Sequence, residues 1–272
     1  MRRRVSFLTT INPFSATASR GLRRGLRAAA VGLVVLPLAL LTLVGVEVQL
    51  ARNGRNLPDR PPLDLNGALG GSAGSPLQMV WMGDSTAAGV GATDADHALP
   101  TLVGAALHRP VEVISLAVSG ARVADVVQDQ VGGLAALDPD VVLVSVGGND
   151  VVHLSSRANF RDRYDALVAA IPSGALLVVL GVPDMGAPPR YRQPLRGIAA
   201  FRGRQLGAIA RSVADDNAAV FVDIAGETGP VMRSDTGRYF AADRYHPSDD
   251  GYDLWAVATM GPLRAALRER SL

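Results

Sequence analysis

The sequence predicts an α/β chain, a doubly wound parallel sheet preceded by one apolar N-terminal helix. Three observations predict it. Short runs rich in Val and Ile alternate five times with longer mixed segments of helical length. Those runs are apolar at nearly every position, the pattern of strands covered on both faces. Ahead of them, residues 28–46 (AAAVGLVVLPLALLTLVGV) run for 19 positions without a charge.

The N-terminal run comes first in the chain. As a helix it rises about 28 Å, close to the roughly 30 Å hydrocarbon core of a bilayer. Seven arginines and no acid lie in residues 1–27, and the next arginine is Arg52. That asymmetry predicts a cytoplasmic basic tail (1–27), a transmembrane signal-anchor helix (28–50) and an extracytoplasmic globular part. The alternative is a signal peptide that is cleaved to release the protein. Against it, the apolar run is long for a signal and VEVQLARNG offers no good small-x-small cleavage site. Residues 51–76 are rich in Gly, Pro, Asn and Ser without periodicity, and read as a flexible linker. The domain then occupies 77–272, about 200 residues, a usual size for one domain.

Charge and composition narrow the classes of function. There is no lysine, and from residue 51 onward 20 Arg face 24 Asp plus Glu, a net of −4. The high pI therefore belongs to the tail, and the globular part has no electrostatic support for binding nucleic acid. The absence of cysteine removes thiolate metal sites, disulfides and cysteine nucleophiles. Nothing in the sequence fixes an oligomeric state.

Within the domain the expected strands are 77–82, 111–118, 141–147, 175–182 and 219–224. The expected helices are 97–108, 121–137, 158–171, 196–216 and 249–268. In such a sheet, functional residues gather beyond the carboxyl ends of the strands. The first strand ends in Gly83-Asp84-Ser85, the second in VSGAR with Gly120, the third in GGND with Asn149 and Asp150, the fourth in PDMG. The last helix is preceded by DRYHPSDDGY.

Those residues suit acyl transfer, which needs a nucleophile, a base, a group that orients the base, and donors for an oxyanion. Ser85 opens a glycine-rich turn and can be the nucleophile, although a serine there is equally an ordinary turn or cap residue. The G-x-S-x-G elbow is absent. His246 can be the base, with Asp243 three residues before it to hold one ring nitrogen. A surface pair near a helix start has the same spacing. His97 and His108 bracket a helix and read as solvated, whereas His153 could line a pocket. The amides of Ser85 and Gly120 and the side chain of Asn149 can serve the oxyanion, glycine allowing close approach. Asp84 and Asp150 read as residues that steady turns. The proline-rich stretch 183–195 is either a pocket wall or a plain connection.

GDS, SG, GGND and DxxHP, in this order at the ends of successive units, resemble the SGNH hydrolase family, which includes the GDSL esterases and lipases. The resemblance covers about residues 78–268, with Thr86 standing where the family's name motif has leucine. It implies a three-layer sandwich around a central five-stranded parallel sheet of SGNH or flavodoxin-like type. It implies Ser85 as nucleophile, Asp243 and His246 as its partners, and Ser85, Gly120 and Asn149 as oxyanion donors, with no metal and no organic cofactor. The expected activity is hydrolysis of a carboxylic ester on a small-molecule, lipid or glycan substrate. An acyltransferase acting on envelope glycans or glycolipids, and a non-catalytic binding module, are the alternatives.

Overall fold

The computed structural model describes residues 14–70 and 74–272. Residues 1–13 of the expected basic tail and 71–73 of the expected linker lie outside the described residues. The chain divides into two units, one up to Gln49 and one from Leu50 to Leu272.

α1 (Phe14–Arg52) starts in the first unit, continues through Pro37, ends in the second and contains the expected span of 28–50. Its stretch Leu33–Arg52 is, among the described residues, the one helix long and apolar enough to cross a membrane. A single-pass span and a signal sequence both have this character.

The second unit contains β1 (Gly67–Leu69), β2 (Leu77–Gly83), α2 (Leu99–Ala106), β3 (Val111–Ser115), α3 (Val123–Asp129), α4 (Val131–Leu134) and β4 (Val141–Ser145). It continues through α5 (Gly148–Val152), α6 (Arg157–Ala169), β5 (Leu176–Leu180), α7 (Leu195–Asp216), β6 (Val220–Val222), α8 (Ile224–Ser234), α9 (Thr236–Tyr239) and α10 (Asp249–Arg270). The sheet order is β1-β3-β2-β4-β5-β6. The five strands from β2 to β6 are parallel, as expected.

A sixth strand departs from the expected sheet. β1 pairs antiparallel with β3, Gly67 opposite Val113 and Leu69 opposite Val111. It lies in the stretch expected to be a flexible linker. Three residues are too short to show a periodicity, but Leu65 is buried and Leu63 and Leu69 pack against the same core. Arg60 adds bonds to the carbonyls of Ala92 and Thr93. Residues 60–69 thus belong to the globular unit.

Alternate strand residues feed two cores. Met79, Trp81, Leu143 and Val178 face the layer of α2, α8 and α10. Val80, Met82, Val144 and Val179 face the layer of α3, α6 and α7. This is why the strands are apolar throughout: neither face meets water. β2 lies at the centre, with β3 on one side and β4 on the other. The chain therefore reverses its direction of travel across the sheet between β2 and β4, the place where open α/β sheets leave a crevice beyond the strand ends.

Candidate active site

Ser85 stands at that crevice, immediately beyond β2. Gly83, the last residue of β2, has φ +141° and lies against the Ser145 backbone at the end of β4. The Gln130 side chain clamps it from the other side, accepting from Gly83 N and donating to Gly83 O, each at 2.8 Å. Asp84 N donates to Ser145 O at 2.9 Å. Asp84 Oδ1 then accepts from the backbone N and the hydroxyl of Thr86, at 2.9 and 2.8 Å. Because Thr86 gives its hydroxyl proton to a carboxylate, the Ser145 hydroxyl donates to Thr86 Oγ1 at 2.7 Å. The hydroxyl at position 86 thus ties the ends of β2 and β4 together. Tyr252 of α10 fastens the far side of the turn, donating to Val90 O at 2.6 Å.

His246 arrives from the loop ahead of α10. Asp243 Oδ1 accepts from the backbone N of both Tyr245 and His246, at 3.0 and 3.1 Å, which folds the loop tightly around its carboxylate. Asp243 Oδ2 lies 2.6 Å from His246 Nδ1. A carboxylate only accepts, so the imidazole proton sits on Nδ1 and Nε2 is bare. Nε2 lies 3.1 Å from Ser85 Oγ and accepts from it. Burial pushes the Asp243 carboxyl up, but the imidazole and the two backbone donors outweigh it and hold it below the ordinary carboxylate value. The Tyr245 ring packs edge-on against the imidazole at 5.0 Å.

Asn149 lies in the first turn of α5, just past Gly147 and its φ of +124°. Its amide donates one proton to Ala121 O at 3.1 Å and keeps the other available. Asp150 accepts from Val123 N and from the Ser155 hydroxyl, steadying the loops on either side. Gly120 has φ +88° in an exposed turn beyond β3 and lines a depression with Val118 and Asp125. His153 is exposed, donates from Nδ1 to Asn149 O, and does not line the cleft. His97 is bound to Asp94 on the surface.

Ser85, Asn149 and His246 thus share one open cleft. Pro183, Met185 and Pro188 line it, so the proline-rich stretch is a wall and not a plain connection. The opposite side comes from Met232 of α8, Phe240 and Trp255 of α10. Sequence reasoning missed these residues. Nothing local marks Met232 or Trp255 as cleft residues, and α8 follows β6 after a single residue, inside the run expected to be strand. Gln130 carried no signal either. No group of His, Asp and Glu able to hold a metal occurs among the described residues.

Burial is the largest influence on Asp84 and raises its pKa to about 6, against the lowering bonds from Thr86. The folded chain therefore holds this proton more tightly than the unfolded chain. That contribution to stability is complete below the unfolded value of 3.8 and is lost as pH rises through about 6. Asp84→Asn keeps an oxygen for Thr86 and removes the titration. The difference in stability between variant and wild type should therefore grow in the variant's favour between pH 4 and 6.5, by on the order of 2–3 kcal/mol. Melting curves of both proteins across that range check it, and a difference that does not change with pH refutes it.

Residues 81–254 match the GDSL-like lipase/acylhydrolase family. Over 201 residues the chain is 29% identical to the GDSL-like esterase Rv1075c of Mycobacterium tuberculosis, an alignment covering 71% of this chain and 64% of that protein. The chain thus spans somewhat under two thirds of the curated relative it matches. A lipase/acylhydrolase from Enterococcus faecalis superposes with a TM-score of 0.57 at 22% identity, covering 70% of this chain and 96% of its own. An acetyl xylan esterase from Geobacillus stearothermophilus superposes with a TM-score of 0.53 at 21% identity, covering 72% and 95%. At these identities the structural likenesses carry the fold.

Proposed function

The chain belongs to the GDSL-like lipase/acylhydrolase family, and from that membership we propose that it is a serine esterase in which Ser85, His246 and Asp243 act as a catalytic triad. The observation that carries the reading is the continuous relay from Ser85 Oγ to His246 Nε2 at 3.1 Å and from His246 Nδ1 to Asp243 Oδ2 at 2.6 Å. Nε2 takes the hydroxyl proton as Ser85 Oγ attacks the ester carbonyl. Asp243 keeps the ring in the tautomer that leaves Nε2 free and stabilises the imidazolium once it forms. The proton then passes to the departing alcohol oxygen, the ester C–O bond breaks, and an acyl-enzyme remains. Water, deprotonated by the same nitrogen, releases the acid and restores Ser85.

The developing oxyanion is met by Ser85 N, Gly120 N and the unspent proton of Asn149 Nδ2. Asn149→Ala should lower kcat by roughly 10²–10³-fold with a smaller effect on KM, because an oxyanion donor acts mainly on the transition state. Steady-state hydrolysis of p-nitrophenyl esters measures it, and an unchanged kcat removes Asn149 from the oxyanion hole. The apolar walls of Met185, Met232, Phe240 and Trp255 suit the acyl part of a lipid or acylated-carbohydrate ester. With α1 retained as an anchor and the seven arginines of the tail on the cytoplasmic side, the catalytic unit works outside the cytoplasm.

The test is covalent labelling of the full chain in detergent by a fluorophosphonate probe. Labelling of the wild type and none of Ser85→Ala is expected. Labelling that survives in Ser85→Ala, or a wild type that never labels, overturns the reading.

A further inference from the structure

One arginine bridges the segment that leaves the apolar helix and the loop that carries Asp243 and His246. Arg190 lies two residues beyond Pro188, the last residue of the stretch 183–195 to line the cleft, and is half-buried. Its Nε donates to Ala51 O at 2.7 Å. Its Nη1 donates to Arg55 O at 2.8 Å and to Asp243 O at 3.2 Å. Its Nη2 donates to Asn56 Oδ1 at 3.3 Å. The backbone joins in, Arg190 N donating to Arg244 O at 3.0 Å. Next along the chain, the ring of Tyr191 stands edge-on to Tyr245 at 5.7 Å, and Tyr245 packs on the imidazole.

Four neutral acceptors from two distant segments thus share one guanidinium. Such a planar fork of five donors serves them together, whereas an ammonium has three donors at one point. All four acceptors are uncharged carbonyl or amide oxygens, so the arrangement is a clip and not an ion pair. Gly54 has no side chain where it faces this clip: a Cβ there would lie 3.0 Å from Arg190 Cζ and 3.1 Å from Nε.

We propose that Arg190 is a positioning residue, and that residues 51–56, held through it, set the alignment of the Asp243–His246 loop against Ser85. The inference rests on the triad reading above. It reaches further by making the juxtaposed segment part of the catalytic apparatus: a chain lacking residues 51–56 leaves the guanidinium with only Asp243 O to bind. A misplacement of about 1 Å at the relay costs rate, and neither Arg190 nor residues 51–56 line the cleft, so binding should change little.

The experiment compares full-chain variants in detergent, each normalised by active-site titration with a fluorophosphonate so that misfolded molecules are not counted. Arg190→Ala should lower kcat on p-nitrophenyl butyrate roughly tenfold while KM stays within about twofold. Arg190→Lys should recover part of the loss. Gly54→Val, which leaves the arginine in place and pushes it from the 51–56 side, should reproduce the kcat loss of Arg190→Ala in direction. It also decides the matter if Arg190→Ala yields no titratable sites. A kcat within twofold of wild type in both Arg190→Ala and Gly54→Val, or a raised KM at constant kcat, overturns the inference. Ser85→Ala, which offers no hydroxyl to titrate and is compared per mole of folded protein, separates the two readings. If it is inert while the Arg190 and Gly54 variants are normal, only the positioning role fails; if it is active, both fail.

Discussion

On the triad reading, Ser85→Ala should reduce the turnover of p-nitrophenyl esters by at least about 10⁴-fold, with KM little changed. The size follows from the relay. Without Oγ no acyl-enzyme forms, and what remains is oxyanion binding and orientation around a directly attacking water. His246→Ala should cost a similar factor, since an unassisted serine hydroxyl is a poor nucleophile near neutral pH. The double variant should then be no slower than either single one, because the two residues perform one act. Independent multiplication of the two losses would mean that Ser85 and His246, despite the 3.1 Å between them, do separate work. A Ser85→Ala protein of full activity would remove Ser85 from the chemistry.

Gly83→Val should abolish the folded site outright. At φ +141° a β-branched residue is strained by about 1–3 kcal/mol before any contact is considered. Its Cβ would also run into the Ser145 carbonyl, which accepts the Asp84 N–H at 2.9 Å, and the Gln130 clamp would be levered off. The combined loss should exceed about 3 kcal/mol, a fall in melting temperature of roughly 10 °C for a unit of this size. Thermal unfolding followed by circular dichroism measures it. A variant that melts with the wild type would show that β2 and β4 tolerate a side chain between their ends.

The parts legible in the sequence share one property: their signal is local. Five apolar runs gave the five parallel strands because each strand is covered on both sides within a few residues. GDS, GGND and DxxHP were legible because each places a polar residue directly after a strand or before a helix. The DxxH spacing is itself the geometry, since one carboxylate oxygen takes the loop's backbone donors while the other takes the ring.

What stayed hidden depends on partners distant in the chain. The run 111–118 overshoots β3, which ends at Ser115, although Leu116 N and Val118 N still bond to Trp81 O and Gly83 O of β2. The expected helix 121–137 breaks at Gln130, whose side chain turns inward to Gly83, 47 residues away. Met232, Phe240 and Trp255 meet in one wall only after α8 and α10 pack together. Arg190 was one arginine among many until Ala51 and Asp243 came within its reach.

The short strand at 67–69 has a use apart from catalysis. A bare rim of β3 would offer unsatisfied amides and carbonyls to any extended peptide. Gly67–Leu69 occupies that rim from within the same chain, running opposite to its neighbour. The other rim, Val220–Val222, is only three residues long and is flanked by Arg211 over the Phe221 ring at 4.2 Å. Neither border of the sheet invites recruitment, so crowding such molecules together need not seed aggregates.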